Sequence, residues 1–178
     1  MDLDHTDVIS SVLPDAALAE FVAEHYDRLV RLARLVCRDG SDAGDAVQRG
    51  LEQAWRRRSS LRDDARLRPW LDRIVVREAI RIARSRQSWL GRVFAPRSDV
   101  AWIGGHDPQT EHLPAWSTLR AAFARLPAEQ RAVIALHLYA GYSVAETAEL
   151  VAAPVETVRS RLRLAKDRLR HELQERES

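Results

Sequence analysis

The sequence predicts an all-α protein in which two small helical domains are joined by a flexible linker. Three observations support this prediction. In residues 15–90 and 115–178, apolar residues recur at the three- and four-residue spacing of amphipathic helices. Glycine and proline interrupt residues 91–114, where no regular period persists. A hydrophobic content of 46% in 178 residues is enough for packed cores.

The chain begins with an acidic extension, residues 1–14. Seven acidic residues and no basic one lie between Met1 and Asp27. A first helix is predicted from Asp15, a suitable N-cap, to about Val36. Its apolar positions are Leu18, Phe21, Val22, His25, Tyr26, Leu29, Leu32, Ala33 and Val36.

The second predicted helix covers about residues 43–57. We expect Ala46, Val47, Leu51, Ala54 and Trp55 to point inward. Two glycines, Gly44 and Gly50, weaken this helix locally. A polar connector, residues 59–66, separates it from the next helix.

A long third helix is predicted from about Leu67 to Ser88, with Pro69 tolerated in its first turn. One side is apolar and consists of Trp70, Leu71, Ile74, Val75, Ala79, Ile82 and Ala83. The other side carries four arginines within a few turns: Arg73, Arg77, Arg81 and Arg84. This basic side indicates a polyanion-binding surface, with an ordinary solvated helix face as the alternative.

Residues 91–114 are predicted to be a linker, although Phe94, Trp102 and Ile103, with Trp89 just before it, make this region more apolar than a free tether. Helices resume at Ala115. In the second of them, which begins at Pro127 and ends at Gly141, we expect Leu138 and Tyr139 to be part of the core.

A helix-turn-helix motif follows: Tyr142–Val151, a break at 152–154, and Val155–Arg163. Such a motif places one exposed face of its second helix in the DNA major groove. That face is Glu156, Arg159, Ser160, Arg163 and Lys166, and the opposite face is the apolar stripe Val155, Val158, Leu162, Ala165 and Leu169. The alternative is an amphipathic helix with a solvated basic side.

The distribution of charge also indicates nucleic acid. The formal net charge is only +2, yet residues 56–92 hold twelve arginines against four acids. Residues 154–170 hold six basic residues against two acids. Two separate basic blocks suggest two contacts with one polyanion.

Other features argue against catalysis and membranes. The six histidines are scattered and lack metal-site spacing with the single cysteine, Cys37, and no glycine-rich phosphate loop precedes a helix. We therefore expect no metal, no cofactor and no enzymatic activity. The chain has neither a signal-peptide pattern nor a membrane-length apolar stretch, and one cysteine fits a cytoplasmic location.

Residues 119–170 resemble region 4 of bacterial sigma factors of the extracytoplasmic-function group. The resemblance rests on the Leu126-Pro127 element with Arg131, the Gly141-Tyr142-Ser143 segment, and residues 157–162. The N-terminal part resembles region 2 of the same group at residues 26–33, 42–48 and 68–74, with Trp55 between the last two. Together the two resemblances cover about residues 16–173.

The resemblance implies that the protein binds core RNA polymerase and promoter DNA, without membrane insertion, and that an anti-sigma factor regulates it. The region 4 part (115–178) would read the −35 element through Glu156, Thr157, Arg159, Ser160, Arg161, Arg163 and Lys166. The region 2 part (15–90) would bind −10 DNA through Arg73, Arg77, Arg81 and Arg84. It would bind the polymerase clamp through Asp42, Asp45, Gln48 and Gln53.

The chain departs from the family pattern in three places. Gly44 and Arg49 replace acids in the clamp-binding segment, Arg77 and Arg81 stand where Asn and Asp are common, and Ala152 replaces the usual glycine of the motif turn. Two alternatives therefore stay open: a stand-alone helix-turn-helix regulator that binds DNA as a dimer, and a divergent sigma-like protein held by an anti-sigma partner.

Overall fold

The computed structural model describes residues 15–61, 66–90 and 114–174. The predicted acidic extension (1–14) and nearly all of the predicted linker, with Phe94 and Trp102, lie outside these ranges. The described parts contain helices and turns and no strand, as an all-α fold requires. The helices are α1 (Asp15–Cys37), α2 (Gly40–Arg57), α3 (Leu67–Leu90), α4 (Pro114–Arg125), α5 (Ala128–Ile134), α6 (Val144–Val151) and α7 (Val155–Gln174). None of the described helices is long and apolar enough to cross a bilayer.

Helices α1, α2 and α3 form an N-terminal bundle. Asp39 caps α2 by accepting hydrogen bonds from the backbone N–H groups of Ser41 and Asp42, which satisfies donors that the first turn leaves unpaired. The core between the three helices is fully buried and includes Leu29, Leu32, Val47, Leu71 and Val75. A glycine in α2 permits the close approach of α3, because a Cβ on Gly50 would lie 2.9 Å from Val75 Cγ2.

Helices α4 to α7 form a C-terminal bundle around Val133, Val158 and Leu162. Helix α5 continues as a wider, π-helical turn, Ala135–Tyr139, in which Ala140 N donates to Ala135 O at 2.9 Å. Gly141 then adopts a φ of +82°, a conformation that glycine reaches without steric cost. This reversal directs Tyr142 toward the N-terminal bundle.

The two bundles share one continuous apolar core. Leu136 and Leu150 of the C-terminal bundle belong to the same buried cluster as Val36 and Val75 of the N-terminal bundle. Arg131, the arginine that follows the Leu-Pro element, is 4% exposed and adds a polar connection. Its Nε and Nη2 donate to Val36 O at 2.9 and 2.5 Å, at the C-terminal end of α1. The bundles are therefore packed closed on each other.

Four aromatic or apolar side chains that we expected to be buried are exposed, so these predictions were wrong. Tyr26 is 46% exposed, Trp55 43%, Leu138 56% and Tyr139 47%. Trp55 instead lies under the guanidinium of Arg58, 5.2 Å from the ring centroid, a cation–π contact suited to a partly solvated ring. Leu138 and Tyr139 lie on the π-helical turn, which shifts the helical register that their spacing assumed.

Candidate nucleic-acid interface

The first helix of the motif, α6, is fixed by a capping box. The Ser143 hydroxyl accepts a hydrogen bond from Glu146 N at 3.2 Å, and the Glu146 carboxylate accepts one from Ser143 N at 2.8 Å. Hydrogen bonding to Ser143 lowers the pKa of the Glu146 carboxyl. Two donors at the helix start are thereby satisfied, so α6 has a defined beginning and direction.

The turn between α6 and α7 lies at the predicted break, residues 152–154. Ala152 has a φ of +52° and a ψ of 54°, the left-handed conformation in which glycine is normally found. Ala153 N closes the turn on Ala148 O at 3.0 Å. Pro154 then precedes α7, and Val158 N donates to its carbonyl at 3.1 Å.

The second helix of the motif, α7, is divided as its pattern predicts. Val158, Leu162 and Ala165 are buried against the rest of the C-terminal bundle. The opposite side is exposed and carries Glu156, Arg159, Ser160, Arg163 and Lys166, with the partly exposed Thr157 and Arg161 beside it. The exposed side of α7 is therefore a basic surface, and the packing of the apolar side on the C-terminal bundle fixes its position.

Two of these exposed residues are paired with each other. Arg159 Nη1 forms an ion pair with Glu156, one turn earlier on α7. Because both side chains are largely exposed, the pair is worth little and can exchange for other partners. Arg159 is therefore available to a ligand at this surface.

The four arginines of α3 do not share one environment. Arg73 is exposed, and Arg81 pairs with Glu78 on its own helix. The other two contact the C-terminal bundle: Arg84 forms an ion pair with Glu129 of α5, and Arg77 bonds to α6. The predicted basic face is therefore divided between solvent and the opposite bundle.

Arg77 makes the more extensive of these contacts. Its Nε donates to Leu150 O at 2.9 Å and its Nη2 to Glu149 O at 3.3 Å. These carbonyls lie in the last turn of α6, where a helix carries partial negative charge. Burial lowers the pKa of Arg77, and the neighbouring charge of Arg73 lowers it further.

The predicted clamp-binding residues on α2 are also divided. Asp45 and Gln48 are exposed and Gln53 is partly exposed. Asp42 is only 5% exposed and pairs with Arg86 of α3 at 2.9 Å. Burial raises the pKa of the Asp42 carboxyl despite the charge of Arg86. The accessible part of the segment is consequently Asp45, Gln48 and Gln53.

A polar cluster that the sequence analysis did not identify joins the two bundles. It consists of Arg28, Asp72 and Tyr142, which we call the Asp72 cluster. Asp72 is completely buried and accepts two hydrogen bonds from Arg28, at 2.9 and 2.5 Å, within the N-terminal bundle. The Tyr142 hydroxyl donates a third, at 2.8 Å, from the C-terminal bundle.

The Asp72 carboxylate stabilises the charged form of Arg28 and the neutral form of Tyr142. Burial lowers the pKa of Arg28, but the hydrogen bonds and charge of Asp72 outweigh it and raise the pKa overall. Burial raises the pKa of Tyr142, and the Asp72 charge adds to this. Tyr142 is therefore a neutral donor, and the ion pair keeps its full complement of hydrogen bonds.

Known families match the two parts of the chain separately. Residues 21–89 match Sigma-70 region 2, and residues 117–169 match Sigma-70, region 4. The chain is 36% identical over 154 residues to the ECF RNA polymerase sigma factor SigM of Mycobacterium tuberculosis, covering 86% of this chain and 75% of that one. It is 34% identical over 154 residues to SigL of the same organism, covering 85% and 86%.

Two solved structures have a similar fold. One is the sigma factor RpoE of Bartonella quintana in complex with the anti-sigma factor NepR, with a TM-score of 0.68 at 24% identity over 88% of this chain and 96% of that chain. The other is CnrH in complex with the cytosolic domain of CnrY, with a TM-score of 0.60 at 26% identity over 90% of both chains.

Proposed function

Because the chain belongs to the extracytoplasmic-function group of the sigma-70 family, and is thus an alternative RNA polymerase sigma factor, we propose specific roles for its exposed residues. The α7 surface reads the −35 element, α3 contributes to −10 binding, and α2 binds the polymerase clamp. The observation that supports this most strongly is the rigid basic face of α7 opposite a buried apolar stripe.

At the −35 element, Arg159 and Ser160 contact base edges or adjacent phosphates, and Arg163 and Lys166 continue the contact along the groove. Arginine to guanine O6 and N7 is the commonest specific contact in the major groove. Glu156 and Thr157 lie at the start of α7, the end that reaches the bases in this class of motif. Arg161, partly covered by its neighbours, contacts the phosphate backbone.

In the N-terminal bundle, the accessible clamp-binding surface of α2 consists of Asp45, Gln48 and Gln53. The buried Asp42 connects this part of α2 to α3 through its ion pair with Arg86. Arg73 and Arg81 provide the exposed positive charge for the −10 strand in the closed arrangement. The role of Arg77 and Arg84 depends on whether the bundles separate.

The protein is proposed to act in the cytoplasm as an initiation factor that catalyses no reaction itself. An anti-sigma factor is its proposed regulator, since one of the similar structures is a sigma factor in complex with an anti-sigma factor.

Run-off transcription tests this function. Purified core polymerase is incubated with a promoter library, with and without the protein, and the transcripts are sequenced. Transcripts that require the protein and share two upstream elements are expected. Failure to bind core polymerase, with retained binding to duplex DNA, would instead identify a stand-alone regulator.

A further inference from the structure

We propose that Leu164 selects a thymine in the −35 element, by packing against the C5-methyl group of that base in the major groove. This inference rests on the proposed function, because it assigns a contact to the side of α7 that faces the −35 element. It adds an apolar residue to a surface so far described by its charges, and it names the base that this residue selects.

Leu164 is unusual among the apolar side chains of α7 in being exposed. Its side chain is 44% exposed. The other large apolar side chains of this helix are buried or half-buried: Val155, Val158, Leu162 and Leu169. Single exposed leucines are common on protein surfaces, so exposure alone assigns no role. What distinguishes Leu164 is its position beside the side chains proposed to reach DNA.

The exposed side of α7 consists of two neighbouring rows of side chains, each with spacings of three and four residues along the helix. The first row is charged and contains Glu156, Arg159, Arg163 and Lys166. The second row is uncharged and contains Thr157, Ser160 and Leu164. Leu164 thus lies one turn beyond Ser160, which is proposed to contact a base edge or an adjacent phosphate.

The charged side chains that follow Leu164 on α7 are engaged within the protein. Arg168 Nη1 donates to Gln130 Oε1 of α5 at 3.1 Å. Asp167 pairs with Arg170 at 3.0 Å. Because burying an unpaired charge is costly, these contacts make an apolar contact at Leu164 less unfavourable than one in the charged row.

The chemistry of the major groove leaves leucine one specific target. The edges of the bases present hydrogen-bond donors and acceptors there, and thymine also presents an apolar C5-methyl group. Leucine carries no hydrogen-bonding group, so it cannot replace the water that a donor or acceptor loses on contact. The favourable contact for Leu164 is therefore the thymine methyl, and cytosine, which has only a hydrogen at C5, lacks it.

The spacing of the uncharged row also predicts where this thymine lies. Leu164 is four residues beyond Ser160, or about 6 Å along the axis of α7 at 1.5 Å per residue. At 3.4 Å per base pair, this is roughly two base pairs along a duplex. The thymine is thus expected about two base pairs from the position that Ser160 contacts.

Binding to duplexes that lack single methyl groups tests this contact. Duplexes are first selected from a random pool by the full-length protein, alone and with core polymerase. Each thymine of the selected element is then replaced in turn by deoxyuridine, which lacks only the C5-methyl. One replacement is expected to lower the affinity of the parent protein about three- to fivefold, the factor for one buried methyl group.

Substitution of Leu164 should remove this effect. Leu164→Ala is expected to bind the thymine duplex about three- to fivefold more weakly and to lose nothing further with deoxyuridine, since two groups in contact are not additive. Leu164→Met, which keeps an apolar side chain of similar size, should retain the methyl effect. Circular dichroism checks that the variants are folded, which is expected at an exposed position.

Arg163→Ala is the matched control, because it changes the neighbouring residue in the charged row. It should weaken binding to the thymine and deoxyuridine duplexes by the same factor. The ratio of the two affinities in the parent protein should also stay constant as salt is raised, because an apolar contact releases no counterions, while both affinities fall.

Three results would overturn the assignment of Leu164. They are a selected element without a thymine, thymines whose methyl groups have no effect, and a methyl effect that persists in Leu164→Ala. If the effect is lost in Thr157→Ser instead, Thr157 makes the contact and the proposal is wrong.

The function on which this inference rests fails separately. A protein that shows the Leu164 methyl effect but neither binds core polymerase nor drives transcription would refute the proposed sigma function and keep the thymine contact. A protein that drives transcription without the methyl effect would refute the thymine contact alone. Absence of sequence-specific binding, with and without core polymerase, would refute both.

Discussion

The Tyr142 hydroxyl donates a 2.8 Å hydrogen bond to Asp72 Oδ2, and this bond joins two helical bundles through a completely buried carboxylate. Asp72 is already paired with Arg28 inside its own bundle. The charge of the carboxylate is therefore balanced locally, and the tyrosine adds a bond that exists only when the bundles are packed together.

Replacing Tyr142 by phenylalanine is expected to lower the free energy of unfolding by about 1–2 kcal/mol, because a buried charged acceptor loses one neutral donor. Urea denaturation followed by circular dichroism measures this. Tyr139→Phe is the matched control, since its hydroxyl only accepts a bond from Arg31 at an exposed position, and it should change stability by less than about 0.5 kcal/mol. Equal effects of the two variants would contradict the special role of Tyr142.

Two of the glycines in α2, Gly44 and Gly50, should respond in opposite directions to alanine. Gly44→Ala meets no atom within 4 Å and is expected to stabilise the protein by about 0.5–1 kcal/mol through helix propensity. Gly50→Ala places its Cβ 2.9 Å from Val75 Cγ2 and 3.2 Å from Val75 Cα. Overpacking of this kind is expected to cost about 1–3 kcal/mol. Thermal unfolding of the two variants tests both expectations. A higher melting temperature for Gly50→Ala would show that α2 and α3 can move apart to accommodate the added methyl group.

The turn of the motif offers a stabilising change. Ala152 has a left-handed backbone, which costs an L-residue roughly 1–2 kcal/mol. Ala152→Gly relieves this strain, but it also raises the conformational entropy of the unfolded chain, which opposes folding. The free energy of unfolding is therefore expected to rise by only about 0.5–1 kcal/mol. Ala153→Gly, the adjacent residue without positive φ, should destabilise instead. Chemical denaturation of both variants is the measurement, and a loss of stability in Ala152→Gly would refute the strain argument.

The −35 contacts can be divided into base and phosphate contacts by single substitutions. Arg159→Ala and Arg163→Ala are each expected to weaken binding to the selected −35 duplex by about 1–3 kcal/mol if a bidentate base contact is lost. Lys166→Ala should weaken binding to all sequences similarly and reduce the salt dependence by about one unit of slope. Fluorescence anisotropy on matched and scrambled duplexes, at several salt concentrations, separates these outcomes.

The single thiol should be unreactive in the folded protein. Burial raises the pKa of Cys37 to about 12, with the charge of Asp42 adding to the effect, and its Sγ lies 3.5 Å from Ala79 O. Since the thiolate is the nucleophile, alkylation by iodoacetamide at pH 8 is expected only after denaturation. Because the pKa of Cys37 is raised in the folded protein, its contribution to the free energy of unfolding is fully present below the ordinary thiol pKa. This contribution is lost as pH rises from about 9 toward 12. Rapid labelling of the native protein would contradict this burial.

The sequence predicted what depends on local pattern. The order of the helices and the buried stripe of α7 at Val158 and Leu162 follow from spacing and residue type. The all-α fold and the family are confirmed by the structure and by the matches to known sigma factors. The assignment of individual side chains to DNA or polymerase stays a prediction.

What the sequence did not predict depends on contacts between distant segments. Asp72 is 44 residues from Arg28 and 70 from Tyr142, and no local pattern marks an acid that will be buried between them. Arg131 reaches a carbonyl 95 residues away for the same reason. Leu138 and Tyr139 were assigned to the core wrongly, because ordinary helical spacing does not account for a π-helical turn.

The long separation of Arg77 from its partner has a consequence for how each molecule is made. Leu150 follows Arg77 by 73 residues, so at about 5–20 residues per second the ribosome delivers α6 roughly 4–15 s after α3. The Arg28–Asp72 pair and the buried residues Leu29, Leu71 and Val75 all lie in the part of the chain made first, so we expect the N-terminal bundle to begin folding before α6 has been synthesised. On that expectation, each new chain passes through an interval of several seconds in which Arg77 has not yet met its partners on α6.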